Sequence, residues 1–281
     1  IGLVGSEMCI RDRIIYSLFV CLSLVMVSCD ESTQDPSFIT YYVDFEMNGD
    51  EIMTVELGTP YVEPGVIAKE QGKDITSTIV TTGADKVDVS KAGVYFITYS
   101  ATNVDGYSSE ITRMVAVYDP AITTDISGTY STSLDSNRQM PQTNDEGEDM
   151  TDDGGNYVWD TPEPFSSNFS VVIEKIAPGI FHISDMMGGY YDQGRGYGAA
   201  YAMPAYVSMK SNTDPAFTIV SGGTSAFGGM YDELSGITYN PDVTPADDIY
   251  PGILKWSIEY QGMLFNICLL YTSPSPRDRS V

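Results

Sequence analysis

From Phe38 onward the chain shows no apolar period of helical spacing longer than two turns; its pattern is alternation. In Gly93–Asn103, Tyr95, Ile97, Tyr99 and Ala101 fall on one side and Val94, Phe96 and Thr98 on the other. That two-residue period is the period of a strand. Asp105-Gly106 then supplies a turn, because glycine takes positive φ without steric cost, and the chain returns as Glu110–Tyr118. Further short β-branched and aromatic runs occupy Phe169–Ile176, Gly179–Ser184, Tyr201–Lys210, Ala216–Ser221, Ile237–Asn240 and Leu254–Asn266. Lys175–Gly179 and Asp232–Gly236 read as turns between them. Strands so spaced predict an all-β protein of sandwich or barrel type. Its length suits two domains, residues 38–119 and 120–267.

The two ends read as foreign to the fold. Codons permitted for Leu3–Asp12, taken on the opposite strand and shifted by one base, translate as Cys268–Arg277. One oligonucleotide read in both directions explains both ends, and residues 1–13 and 268–281 resemble translated sequencing-adaptor sequence. The expectation is that neither segment contributes consistent core contacts, although the apolar run Cys268-Leu269-Leu270 can extend the last strand by accident. Ile14–Val27 is apolar apart from two serines and a tyrosine. That is short for a membrane span, which needs about 20 residues, and suits the apolar region of a signal peptide over 14–28. It runs into Val25-Met26-Val27-Ser28-Cys29, which resembles a lipobox. The resemblance implies acylation of Cys29, a tether over 29–37, and an outer-membrane lipoprotein facing the cell exterior. Several acyl chains on one residue anchor stably, at about 0.8 kcal/mol per buried CH₂.

Charge excludes one class of partner. With 14 basic and 39 acidic residues the chain carries a formal net charge of −25. Such a surface repels nucleic acid. Of the four cysteines only Cys29 remains once the ends and the apolar run are set aside, so no disulfide framework and no cysteine metal site is expected.

Two resemblances organise the rest. Tyr61–Val66, Asp74-Ile75-Thr76, Gly93-Val94-Tyr95, Tyr99–Gly106 and Thr112–Val117 look like the Ig-like domain of bacterial surface proteins, with Glu63, Lys73 and Asn103 departing from its usual aspartate, glycine and aspartate. That implies a seven-stranded β-sandwich acting as spacer or binding module, without catalytic residues. The order of strands after Ser127–Tyr130, and Ile183–Gly198 in particular, resemble the C-terminal domain of surface lipoproteins of Gram-negative gut anaerobes. There the resemblance implies an antiparallel β-barrel or β-sandwich and a role beside glycan-import systems.

Gly188–Gly198 concentrates the chemistry: five glycines, with Tyr190, Tyr191, Asp192, Arg195 and Tyr197. Tyrosine rings stack on the apolar faces of sugars, Asp and Arg bond hydroxyls, and glycines let backbone approach a ligand. A carbohydrate platform is one reading. The other is a bulged crossover whose tyrosines pack inward and whose Arg195 pairs with Asp185 or Asp192. If the segment is extended, adjacent Tyr190 and Tyr191 point to opposite faces. Trp159, in a loop-like setting, is a further stacking candidate, whereas Trp256 lies in a strand and reads as core. The acidic run Asn144–Gly155 lacks the alternate-ligand spacing of an EF-hand and reads as a solvated, mobile loop, with Ca²⁺ binding left open. His182, the single histidine, reads as a strand residue with a local hydrogen bond. No metal, cofactor or catalytic residue is expected. A carboxylate pair is the remaining route to a glycan hydrolase, and no motif singles one out.

These features predict a non-catalytic surface lipoprotein binding a polysaccharide, an oligosaccharide or a component of an outer-membrane glycan-uptake complex. The alternatives are an adhesive protein with a protein partner, and a hydrolase.

Overall fold

The computed structural model describes residues 39–212, 217–222, 225–227, 233–240 and 252–273. Cys29, the signal segment and residues 1–13 lie outside them. The chain divides into a unit over 1–42, of which only 39–42 are described, and a compact unit over 43–281. The architecture that follows is that of the second unit.

Its N-terminal half is a seven-stranded sandwich. One sheet joins β1 (Asp44–Met47), β3 (Val66–Glu70) and β4 (Lys73–Asp74). The other runs β2-β7-β6-β5, from β2 (Ile52–Glu56), β5 (Val80–Thr82), β6 (Gly93–Thr102) and β7 (Ser108–Tyr118), with β2 parallel to β7. β6 and β7 form the expected hairpin, closed through Gly106 at φ 89° and by the Tyr107 N–H on the Asn103 side chain at 2.7 Å. The alternation in β6 has the predicted effect on one face: Ile97, Tyr99 and Ala101 are buried. The other face is only partly solvated. Val94 packs with Met114 and Ala116 of β7 against Ala177 and Ile180 of the C-terminal half, and the Phe96 ring meets Tyr206 edge-on at 6.0 Å. The two halves thus share an apolar contact.

The sandwich is clasped by a buried ion pair. Arg113 Nε donates to Glu63 Oε1 at 3.0 Å, and the guanidinium also reaches the carbonyls of Asp50, Asn48 and Gly65. Glu63 takes the Gly65 N–H at 2.8 Å and the Tyr61 hydroxyl. Burial alone pushes the Glu63 carboxyl up, but the Tyr61 and Gly65 donors and the Arg113 charge bring it below its ordinary value.

The C-terminal half is one antiparallel sheet of ten strands: β8 (Gly128–Thr132), β9 (Asn137–Gln139), β10 (Glu163–Pro164), β11 (Ser170–Ala177), β12 (Ile180–Ile183), β13 (Ala205–Met209), β14 (Phe217–Gly222), β15 (Glu233–Asn240), β16 (Ile253–Tyr260) and β17 (Met263–Ser273). The path β14-β13-β12-β11-β8-β17-β16-β15 curls into a half-barrel, while β9 and β10 extend the sheet beside the first part of β17. Inside lie Tyr130, Val171, Ile173, Phe181, Ile183, Trp256, Ile258 and Phe265. Burying one such aliphatic or aromatic side chain stabilises by about 1.5–3 kcal/mol.

Two expectations are corrected here. The predicted single strand Leu254–Asn266 is two, split by a tight turn in which Gln261 and Gly262 both have positive φ, the geometry that matches hairpin twist. Asp232–Gly236 is not a turn in full: Glu233–Gly236 belong to β15, and Gly236 sits at a bulge against β16. The last strand does extend through Cys268-Leu269-Leu270. β17 continues to Ser273, pairs Leu269–Tyr271 with β8, and buries Cys268 and Leu269. Its alternation runs on through Cys268-Leu269-Leu270, so the apolar face stays turned inward. Residues 274–281 are outside the described set.

The acidic run is also ordered. Between β9 and β10 the chain makes a three-cornered arm with an eight-residue period. Thr143 pairs with Asp149, Thr151 with Tyr157, and Pro141 with Trp159. At the centre, Gln142, Met150 and Val158 close a ring of backbone bonds: Gln142 N–H to the Val158 carbonyl at 2.7 Å, Met150 to Gln142 at 2.7 Å, and Val158 to Met150 at 2.9 Å. Two corners are side-chain-capped turns, with Asn144 Oδ1 taking the N–H groups of Glu146 and Glu148 and Asp152 Oδ1 those of Gly154 and Asn156. The carboxylates of Asp145–Asp149 and Asp152-Asp153 face solvent. Among the described residues, no three His, Cys, Asp or Glu side chains come together as a metal site.

Candidate functional site

The Gly/Tyr segment leaves the sheet at Ile183 and returns at Ala205, which are paired neighbours in β12 and β13. It is a loop with a closed neck. The Met186 N–H donates to the Met203 carbonyl at 2.8 Å. The buried Asp185 carboxylate takes the N–H groups of Met187, Gly189 and Met203 at 2.8, 3.0 and 3.2 Å, binding entry to exit. Burial and the nearby Asp192 charge push this carboxyl up to about 7 against the pull of those donors. Met186 and Met187 are buried in the half-barrel core, and Trp256 Nε1–H donates to the Met186 carbonyl at 2.9 Å.

Two of the glycines answer to packing rather than to a ligand. At Gly189, φ 83°, a Cβ would stand 2.4 Å from Phe169 Cβ; at Gly194 one would stand 2.8 Å from Phe169 Cζ. Between them Tyr190–Gly194 forms a single wide turn, with the Gly194 and Arg195 N–H groups donating five residues back, to Gly189 at 2.8 Å and Tyr190 at 2.9 Å. The Gln193 amide pins the turn to the backbone of Ser170 in β11, giving 2.9 Å and accepting at 3.0 Å.

Because the segment is a turn and not a strand, Tyr190 and Tyr191 do not point to opposite faces. Both are half-buried and their rings meet edge-on at 4.9 Å. Tyr190 packs on Phe165 at 5.2 Å and Phe265 at 5.3 Å. Tyr191 lies 4.8 Å from Phe227 and nearly parallel to Tyr197, at 6.4 Å and 20°. Tyr197 is 52% exposed and meets Tyr201 at 5.4 Å, and Tyr201 meets Phe227 at 5.0 Å. The result is a graded aromatic surface: Tyr190 and Tyr191 half-buried against the core, Tyr197 outside. Tyr201 and Phe227 were not legible from sequence. Tyr201 fell in a predicted strand, and Phe227 reaches the site through an Ala226 N–H bond to Ala200 at 2.8 Å.

Arg195 pairs with neither Asp185 nor Asp192. Its guanidinium lies over the Tyr190 ring at 5.4 Å, and the Arg138 guanidinium lies 5.7 Å from the same centroid. Asp192 accepts from Gln193 Nε2 at 3.2 Å and turns one oxygen inward without a partner. Trp159 stands apart, on the three-cornered arm, where its ring contact is with Tyr157 at 5.4 Å. His182 is in β12 with its ring against Tyr206 at 4.9 Å.

Comparison with known proteins follows the same two halves. Residues 45–117 match the family model of the bacterial surface protein Ig-like domain, and residues 119–270 match a family model for a C-terminal domain. No curated protein sequence matches. Among solved structures, the lipoprotein BT2262 from Bacteroides thetaiotaomicron is 32% identical over 82% of this chain and 100% of its own, with a TM-score of 0.39. A Clostridium perfringens ZmpB structure, containing CBM51-2 in complex with GlcNAc and INT domains, is 18% identical over 50% of this chain and 31% of that one, with a TM-score of 0.25, too slight a likeness to carry an argument. On the identity and coverage of the first, and on the family models that together span both halves, the chain belongs to the family of the lipoprotein BT2262.

Proposed function

We propose that this protein is a non-catalytic lipoprotein of the cell exterior that binds extracellular glycan, anchored in the outer membrane through Cys29 and held out by its Ig-like domain. One observation carries the reading: Tyr197 is exposed, lies parallel to Tyr191, and is backed by Tyr201 and Phe227. An aromatic face held from behind by other rings loses little side-chain freedom when a sugar stacks on it. The closed neck at Asp185 and the Gln193 bonds to β11 hold that face still. The surrounding acidity, net −25, repels anionic lipid and leaves the platform to act in water.

Affinity electrophoresis of the protein through gels carrying single polysaccharides tests this. Retardation by at least one polysaccharide, with no new reducing ends on incubation, is the expected result. Migration unaffected by every gel would overturn the glycan reading, and reducing ends would overturn the non-catalytic one. Cys29→Ala is expected to release the protein from the membrane fraction.

A protein partner is the second reading, favoured by the three-cornered arm, where Met140 and Met150 are exposed among carboxylates. A glycan-uptake component with a basic face would suit it.

A further inference from the structure

Beside the tyrosines lies a pocket of about 130 Å³. Phe165, Phe169 and Tyr190 give it apolar walls, and Glu163, Ser166 and Arg195 give it polar ones. Its electrostatics run against the rest of the molecule. The chain has 39 acidic residues against 14 basic ones, yet Arg195 has no carboxylate at ion-pair distance among the described residues. The acid of the pocket, Glu163, is already taken by Arg138. Glu163 acts on Arg195 through space without reaching ion-pair distance, so the Arg195 charge is only partly offset at the pocket. The Tyr190 ring at 5.4 Å holds the guanidinium in place while the side chain stays exposed. An exposed arginine beside a ring offers the donors of its planar fork to a carboxylate in parallel, which a lysine does not.

We propose that this pocket takes the carboxylate of an acidic sugar, so that the glycan recognised is of the hexuronate class. The proposal rests on the glycan reading and deepens it: Tyr197 and Tyr191 stack the neutral face of the chain, and Arg195 reads its acid group. Tyr190 joins the two, being in ring contact with Tyr191 and under Arg195. A pocket this small suits one substituent of a polymer, with the remainder lying on the open platform. The acidity elsewhere discourages polyanions from binding at random, so selectivity for a hexuronate falls on this one cation.

The test is calorimetric titration with oligomers of polygalacturonate and alginate, each beside its carboxyl-reduced form, on wild type, Arg195→Gln and Arg195→Lys. The expected result is at least tenfold tighter binding of one acidic oligomer than of its reduced counterpart. Arg195→Gln should abolish that preference, Arg195→Lys should weaken it, and melting temperature should not change in either, because the side chain is exposed. Equal affinity for acidic and reduced forms, or a preference untouched by Arg195→Gln, overturns the proposal while the glycan reading stands. Binding of none of these oligomers overturns it as well; retardation in the polysaccharide gels then decides separately whether the glycan reading survives.

Discussion

Trp256 donates its indole N–H to the carbonyl of Met186 across 2.9 Å, and both residues are buried. The bond joins the middle of β16 to the neck of the Gly/Tyr loop, so it links the core of the half-barrel directly to the base of the aromatic face. Trp256→Phe keeps the apolar ring but strands the Met186 carbonyl. A buried acceptor left unsatisfied costs about 1–3 kcal/mol. Thermal denaturation should show that loss, and an unchanged melting temperature would show that the neck is held without this bond.

Asp185 ties the same neck, and its carboxyl is pushed up to about 7 from an ordinary 3.8. The folded state therefore keeps a proton that the unfolded state gives up. Stability is highest below about pH 4 as far as this group is concerned, falls as pH rises through the interval to about 7, and is then flat. Asp185→Asn should remove that decline. A stability curve with the same slope between pH 4 and 7 in wild type and variant would contradict the assignment.

Glu63 acts with the opposite sign. Its carboxyl is held below 4.5 in the sandwich, so its contribution is present above that pH and is lost as pH falls toward the folded value. Arg113→Met removes the buried partner and leaves the acid with the Tyr61 and Gly65 donors alone. Breaking a fully buried pair costs about 3–5 kcal/mol, and with Glu63 partly exposed and still bonded the loss here should be about 1–3 kcal/mol. Denaturant titration of the variant should show that loss, and a cost under about 1 kcal/mol, within the range of ordinary surface substitutions, would mean that the pair is incidental.

The end of β17 gives a direct check on residues first read as foreign to the fold. Leu269 is fully buried, so Leu269→Ala should destabilise by about 2–5 kcal/mol. If the strand end is dispensable, this variant and a chain ending at Ile267 will melt with the wild type.

What was legible in the sequence follows from which residues act locally. The strand alternation of Gly93–Thr102 and the Asp105-Gly106 turn depend on near neighbours, and both form as read. Gln261-Gly262 was passed over because glutamine carries no turn signal of its own; the turn exists because two paired strands require it. The eight-residue period of the arm is written in the sequence, where Thr143-Asn144-Asp145 and Gly147 are matched by Thr151-Asp152-Asp153 and Gly155, but a reading of the segment as acidic composition alone does not reveal it. In the Gly/Tyr loop the glycines and tyrosines leave an extended platform and a bulged crossover both open, because near neighbours alone do not choose between them. The wide turn at Tyr190–Gly194 is imposed by Phe169 filling the space beside Gly189 and Gly194, a contact some twenty residues away in sequence.

The central claim is that the exposed rim of the aromatic surface binds glycan while its inner ring holds the fold. The most direct measurement pairs a melting curve with a polysaccharide affinity for two variants, Tyr197→Ala and Tyr190→Ala. The account predicts that Tyr197→Ala keeps its stability to within about 0.5 kcal/mol and loses most of its affinity. Tyr190→Ala, which removes a ring packed on Phe165 and Phe265, should lose about 3 kcal/mol of stability. Polysaccharide affinity unchanged in a stably folded Tyr197→Ala would contradict the claim.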